Sequence, residues 1–355
     1  MNPIAGSIKK LQDMLVANAA VPNEIKMRAL EQLSRAAISI QYGGSGSSFE
    51  TTEKYIEFIC QLPWETQSTD LLDIAQAQHV IDSRHYGLPH VKERIMQYLA
   101  SVILVKRKSA KAVLRAPSLL FVGLAGTGKT TFANIIAETL GRKVFLVPFG
   151  GLTNALDLRG YSKTTPYAQP GTILRALAKC GTRNPVIILD EMDRVHSQDS
   201  AGIMGALLEL LDPNQNTIFS DYFLDYPFDL SQVMFIGTAN NTHDISSAVM
   251  DRMEIVQMPS YNDEEKIIIG KTFVLPKKLS AAGLEPSQLT IDEGVWPKLV
   301  RPLGFEPGIR SLERLIESVV RKVALQIVSG QYQAFTLTEE NMYHYVDMTL
   351  ASAGS

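Results

Sequence analysis

The chain has 355 residues, with 45% hydrophobic side chains and 34 Lys+Arg against 37 Asp+Glu. That length suits two or three globular domains, and the net charge of -3 supplies no overall field toward nucleic acid or an anionic membrane. No apolar run reaches the ~20 residues needed to cross a bilayer, and the start, Met1-Asn2-Pro3-Ile4, lacks the basic stretch and apolar core of a secretory signal.

Residues 1–41 are mostly helical in pattern, and Gly43-Gly44-Ser45-Gly46-Ser47-Ser48 then reads as a linker or exposed loop. A helix is expected over Phe49–Leu62, with Tyr55, Ile56, Phe58 and Ile59 on its apolar face and Pro63-Trp64 as its stop. Apolar spacing predicts further helices near 70–83 and 89–107. From Ser118 the rhythm changes to short apolar strands alternating with helices: Leu119–Val122, Lys143–Pro148, Val186–Leu189, Val233–Gly237 and Glu254–Met258. This alternation is the pattern of an α/β fold with a five-stranded parallel sheet covered on both faces. After Pro259 the chain turns helical near 262–272, 292–301 and 309–329, then gives a short strand, a helix and a tail. The expected division is 1–66, an N-terminal helical segment; 67–259, the α/β domain; 260–348, a small helical lid; and 349–355, a flexible tail. Cys60 and Cys180 lie far apart without metal-ligand spacing, so they read as small buried apolar residues of a protein in a reducing compartment, by default the cytoplasm.

Gly123-Leu124-Ala125-Gly126-Thr127-Gly128-Lys129-Thr130 fits G-x-x-x-x-G-K-[ST] between a strand and a helix. Its glycines let backbone N–H groups curl around phosphate oxygens, and the helix N-terminus adds partial positive charge. Lys129 neutralises the terminal phosphates, the Thr130 hydroxyl suits Mg²⁺, and Thr131 continues the first helical turn. Val186-Ile187-Ile188-Leu189-Asp190-Glu191 supplies the second half of such a site. Asp190 would hold Mg²⁺ through its water shell, and Glu191 would orient the attacking water. Asn240, in Thr238-Ala239-Asn240-Asn241 at the end of the next strand, is placed to hydrogen-bond a γ-phosphate or that water; an Asx turn is the plainer alternative. ATP with Mg²⁺ is the expected ligand.

Longer stretches carry a family resemblance. Tyr55-Ile56-Glu57-Phe58 through Leu62-Pro63-Trp64, His85-Tyr86-Gly87-Leu88, Leu207 through Asn216, Phe219-Ser220-Asp221, Pro227-Phe228-Asp229-Leu230-Ser231 and Asp251-Arg252-Met253-Glu254 resemble the AAA+ ATPase portion of Lon proteases, in the same order and at similar spacing. The resemblance implies an AAA+ fold, a hexameric homo-oligomer, a polypeptide substrate, and ATP hydrolysis that drives unfolding. It implies that Tyr86 packs near the adenine and that Arg252 is the arginine finger reaching a neighbouring subunit's γ-phosphate; a surface ion pair with Asp251 or Glu254 is the alternative fate of that arginine. An arginine supplied in trans is worth ~10³–10⁵ in rate. Arg310 resembles the second sensor arginine, with Arg314 as its rival, beside Glu313 and Glu317. A cation near a helix N-terminus sits against the dipole by about 0.3–1 kcal/mol, so an anionic partner suits it.

The chain departs from the Lon pattern in two places. Lon's proteolytic serine and lysine lie in a further domain, whereas this sequence ends at Ser355, so the chain reads as a protease-free relative, half of a split enzyme paired with a separate peptidase subunit, or an excised fragment. The tail Ala351-Ser352-Ala353-Gly354-Ser355 is not expected to be a nucleophile site. In the loop that grips polypeptide in Lon, Thr165 holds the aromatic position, followed by Pro166 and Tyr167; either Tyr167 grips from a shifted position or the chain does not thread substrate. Ser200 through Gly205 likewise replaces a typical Gly-Asp-Pro stretch. The leading expectation is an ATP-driven unfoldase or remodeller, and the alternative is a nucleotide-gated scaffold that recruits partners without threading. No basic-aromatic stripe supports a nucleic-acid role.

Overall fold

All five apolar segments expected as strands pair in one parallel sheet in the computed structural model, which describes residues 3–42, 46–109, 117–195, 198–301 and 306–346. Along the chain the strands are β1 (Ser118–Val122), β2 (Val144–Pro148) and β3 (Val186–Asp190), a hairpin of β4 (Phe219–Asp221) and β5 (Tyr226–Phe228), then β6 (Met234–Ala239) and β7 (Met253–Gln257). The sheet order is β2-β3-β6-β1-β7, with Leu119 beside Ile236 on one side and Glu254 on the other. β1, β3 and β6 are buried along nearly their whole length, which is why they read as unbroken apolar runs rather than alternating ones.

The N-terminal helices are α1 (Pro3–Ala17), α2 (Asn23–Gln41) and α3 (Ser47–Gln61). Gly43, Gly44 and Ser45 of the expected linker lie outside the described residues, and α3 starts two residues before the expected Phe49. Next come α4 (Ile74–Arg84) and α5 (Pro89–Lys108). The helix expected from residue 70 begins at Ile74, because Asp73 caps the N–H groups of Ala75 and Gln76 at 2.9 and 3.2 Å. Asp70 itself is held in a bidentate pair by the Arg142 guanidinium at 2.8 and 2.7 Å. Around the sheet lie α6 (Lys129–Leu140), α7 (Leu156–Arg159), α8 (Thr172–Cys180), α9 (Ser200–Leu211) and α10 (Ser247–Met250).

The last part holds α11 (Asp263–Ile269), α12 (Leu275–Ala281), strand β8 (Leu289–Ile291), α13 (Trp296–Val300), α14 (Arg310–Val328), strand β9 (Phe335–Leu337) and α15 (Met342–Tyr345). Asn262 opens α11 with a capping box to Glu265. A π turn at Gly270–Val274 carries the helix into α12, so it runs to Ala281 rather than stopping near 272; the turn lies just ahead of Pro276, whose missing N–H breaks a regular ladder. β8 and β9 pair in parallel between residues 46 positions apart, as in Leu289 with Phe335, a pairing no local pattern announces. The tail beyond Val346 lies outside the described residues.

Two apolar cores lie on opposite faces of the sheet. One joins α1–α3 to α8, α9 and the β4–β5 hairpin; the other joins α4–α6 to the C-terminal helices. The expected boundaries at 66/67 and 259/260 are therefore crossed by shared packing. Tyr55 and Phe58 meet Phe223 edge-on at 5.9 Å, and Trp64 packs on Phe228 at 5.1 Å, which seats the N-terminal helices on the hairpin.

Candidate nucleotide site

The turn Gly123–Gly128 leaves the end of β1 and feeds α6. Gly123 donates its N–H to Ala239 O at 3.1 Å, and a Cβ there would lie 2.4 Å from Met258 O, so no larger residue fits. Gly126 and Gly128 have φ of +80° and +91°, values that suit glycine. Lys129 opens α6, and its Nζ donates to Gly123 O, Leu124 O and Asn240 Oδ1 at 2.6, 2.9 and 3.1 Å. Burial lowers the Lys129 pKa from its ordinary value, and the Arg310 cation adds to that; Asp193, Asp190 and Glu191 pull the other way. Two cations converging on one partly desolvated place favour an anionic ligand.

Asp190 ends β3 facing the loop. Its Oδ1 accepts from Thr130 Oγ1 at 3.1 Å and from Thr238 Oγ1 at 2.6 Å, and the Thr238 oxygen in turn accepts the Glu191 N–H at 3.0 Å. Thr238 thus fixes both acids from the neighbouring strand. Glu191 has φ +56°, a conformation that few non-glycine residues adopt, and its carboxylate lies 3.2 Å from Arg194. Asn240 bridges Lys129 and the buried Asp193, donating to Asp193 Oδ2 at 3.3 Å.

These groups line a cleft of about 210 Å³ together with Gly126, Gly128, Thr131, Ile309, Arg310 and Glu313. The lid forms its far wall: the Ile309 N–H donates to Gly126 O at 3.3 Å, and Gly308 lies so close that a Cβ there would meet Ala125 O at 2.3 Å. Arg310 opens α14 with an exposed side chain at the cleft, whereas Arg314 does not line it, and Glu317 is taken by Lys278 and Arg321. The donor set fits Mg²⁺: a threonine hydroxyl and a carboxylate, both hard oxygens, share one wall beside the lysine. Among the described residues no group of three His, Cys, Asp or Glu side chains forms a metal cage, so phosphate and water oxygens would complete the shell.

Some expected residues lie elsewhere. Tyr86, 41% exposed at the bend before α5, does not line the cleft; the buried neighbour His85 faces the loop instead, its Nε2 2.8 Å from the Tyr261 hydroxyl. Arg252 is outside the cleft, pairing with Asp212 at 3.3 Å and donating to Ala248 O at 3.0 Å. Its ionic partner is therefore neither Asp251 nor Glu254, and Glu254 is held by Arg94 at 2.6 Å. Leu124, 54% exposed, forms the outer side of the loop, and Thr127 is fully buried with its hydroxyl on Leu124 O. Thr165, Pro166 and Tyr167 lie in a loop closed by the Tyr161–Gln169 bridge, with Tyr167 78% exposed. Sequence reading passed over Thr238, His85 and Tyr261; the first was marked only by its place in the stretch after a strand, the second by its tyrosine neighbour.

A parallel sheet with a lysine-bearing glycine turn, twin acids on the adjoining strand and a helical lid carrying an arginine defines an AAA+ ATPase domain. Residues 119–261 match the ATPase family associated with various cellular activities (AAA), and residues 280–335 match the Lon protease AAA+ ATPase lid domain. The chain is 37% identical over 326 residues to Lon protease 2 of Herpetosiphon aurantiacus, covering 92% of this chain and 39% of that protein. It is 39% identical to Lon protease 2 of Thermus thermophilus over 92% of this chain and 41% of that one. To the peroxisomal Lon protease homolog 2 of Danio rerio it is 39% identical over 90% of this chain and 37% of that one. The chain belongs to the Lon family, as its AAA+ ATPase portion, and spans about two fifths of the length of these relatives.

Proposed function

We propose that the chain binds ATP with Mg²⁺ in this cleft, hydrolyses it, and uses the cycle to pull on or remodel polypeptide. The observation that carries the reading is the convergence of Lys129, Thr130, Asp190, Glu191, Asn240 and Arg310 on one cleft from four separate elements. Lys129 and Arg310 take the phosphate charge, and Glu191, held open by its backbone bond to Thr238, orients the attacking water. Asn240 hydrogen-bonds the terminal phosphate or that water. Bound Mg²⁺ would neutralise developing phosphate charge, held by Thr130 directly and by Asp190 through water. Arg252, remote from its own cleft, serves a neighbour's, so the working form is a homo-oligomer, by family analogy a hexameric ring.

Polypeptide as the partner follows from the relatives' names as proteases and from the exposed Tyr167. A peptidase would act alongside, either as a further stretch of a longer chain or as a separate subunit. The cytoplasm remains the proposed compartment; among the described residues no helix is long and apolar enough to cross a membrane, and relatives include mitochondrial and peroxisomal proteins. The decisive experiment compares wild type with Glu191→Gln. The variant is expected to bind Mg·ATP with similar affinity and turn it over at least about tenfold more slowly; equal turnover removes the assignment. For the mechanical step, wild type should unfold a tagged protein only with ATP, and failure across several tagged proteins would favour the scaffold.

A further inference from the structure

Tyr261, between β7 and α11, is 2% exposed, yet its hydroxyl does not pack idly. It lies 2.9 Å from Thr127 O and 2.8 Å from His85 Nε2. A carbonyl oxygen only accepts, so the phenolic proton points at Thr127, and the phenolic oxygen accepts from His85, whose proton must then be on Nε2. Burial pushes the His85 pKa down to about 4, with the Lys92 cation acting in the same direction and the Gly87 backbone opposing them, so the ring stays neutral. Phe132 of α6 packs against it at 4.1 Å.

The consequence falls on one peptide unit. In a planar trans peptide the C=O and the next N–H point in opposite directions. Holding Thr127 O back against Tyr261 therefore turns the Gly128 N–H forward, and Gly128 lines the phosphate cleft. Rotating this unit changes ψ of Thr127 and φ of Gly128, and Gly128, at φ +91°, opposes such a rotation only weakly because it has no Cβ. Rotated, it would aim a carbonyl oxygen at an anion. Tyr261 also carries the lid: its N–H donates to Pro307 O at 3.2 Å, next to the Gly308 that rests on Ala125.

We propose that the Tyr261 hydroxyl, held by His85, is the latch that keeps the Thr127–Gly128 peptide with its N–H toward the phosphates, making Tyr261 a positioning residue that ties loop shape to lid placement. The proposal rests on the nucleotide-site reading, and one arm of the test works without nucleotide. Tyr261→Phe keeps the ring and removes only the proton and acceptor. It is expected to weaken Mg·ADP binding, and to raise the KM for ATP, by about fivefold or more, with kcat within twofold. Amide exchange in a peptide spanning 123–130 is expected to quicken about tenfold while β3 is unchanged. His85→Gln, which retains a donor, should stay within twofold of wild type, and His85→Leu should shift the same quantities in the direction of Tyr261→Phe. Affinity and loop exchange both within twofold of wild type in a folded Tyr261→Phe overturn the proposal. If wild type takes up no Mg·ADP while Lys129→Ala behaves the same, the nucleotide reading has failed and loop exchange alone decides the latch. Should Tyr261→Phe not fold, the contrast between His85→Gln and His85→Leu decides it.

Discussion

At the scale of single residues, Thr238 shows how much depends on one hydroxyl. Its proton goes to Asp190 and its lone pair takes the Glu191 N–H, so both acids are set from a strand that carries no charge at the site. Thr238→Val has nearly the same volume and removes both bonds. The expected outcome is ATP affinity within about threefold of wild type and turnover at least tenfold lower, measured by steady-state hydrolysis beside equilibrium binding; a parallel loss of affinity and turnover would make Thr238 a folding residue instead. The residues legible in the sequence were those whose type already implies the chemistry: a lysine after glycines, paired acids after a strand. Thr238, His85 and Tyr261 escaped because a hydroxyl or an imidazole acquires its meaning from what faces it across 47, 176 or 134 positions of chain. Arg252 shows the converse, since its partner Asp212 lies 40 positions away and not among its acidic neighbours.

At the scale of elements, the strands were readable because a buried parallel sheet needs unbroken apolar runs of about this length, and all five stand within two residues of the expected bounds. The hairpin β4–β5 was not, since three-residue strands containing Pro227 carry no periodicity and form only against partners such as Phe223 and Trp64. Its register depends on Asp221, 1% exposed, whose carboxylate accepts N–H groups from Gly171, Phe223 and Leu224 at 2.7, 2.8 and 2.9 Å and so joins the hairpin to the end of the exposed loop. Burial raises the Asp221 pKa to about 6, and those N–H groups only partly oppose it. With the folded value above the unfolded one, the folded chain holds a proton between roughly pH 4 and pH 6 that the unfolded chain has released, so this carboxyl's contribution to stability falls as pH rises through that window and is flat above it. Asp221→Asn should remove that slope: the melting temperature of wild type relative to the variant is expected to fall from pH 4 to pH 6. A difference that rises over the same range would show the N–H groups outweigh burial. The lid contact offers a second element-scale test. Gly308→Val places a side chain where only 2.3 Å separates a Cβ from Ala125 O, so the lid segment must lift; overpacking of this kind costs about 1–3 kcal/mol. Nucleotide affinity should drop about tenfold, with little change in amide exchange of β1 and β3, and unaltered affinity would mean the lid does not shape the cleft.

At the scale of the whole molecule, the sheet separates two tasks. One face and its core carry the N-terminal helices, the hairpin and the loop bearing Tyr167; the other carries the lid and α6, and the glycine turn lies where β1 meets that second face. The cleft holds Lys129 and Arg310 but not Arg252, which is 34% exposed and steadied by Asp212. If Arg252 completes a neighbour's cleft, Arg252→Ala should bind ATP within about threefold of wild type and hydrolyse it at least a hundredfold more slowly, consistent with the ~10³–10⁵ that an arginine in trans supplies. Asp212 keeps its bond from the Asn214 N–H at 2.9 Å, so the fold should survive the change. Mixing is the sharper experiment. Arg252→Ala chains have an intact cleft and Glu191→Gln chains an intact arginine, so under the proposed oligomer a mixture is expected to regain turnover wherever the second kind presents its arginine to the first. Each variant alone is expected to be slow, and an arginine acting within its own chain would leave the mixture as slow as its parts.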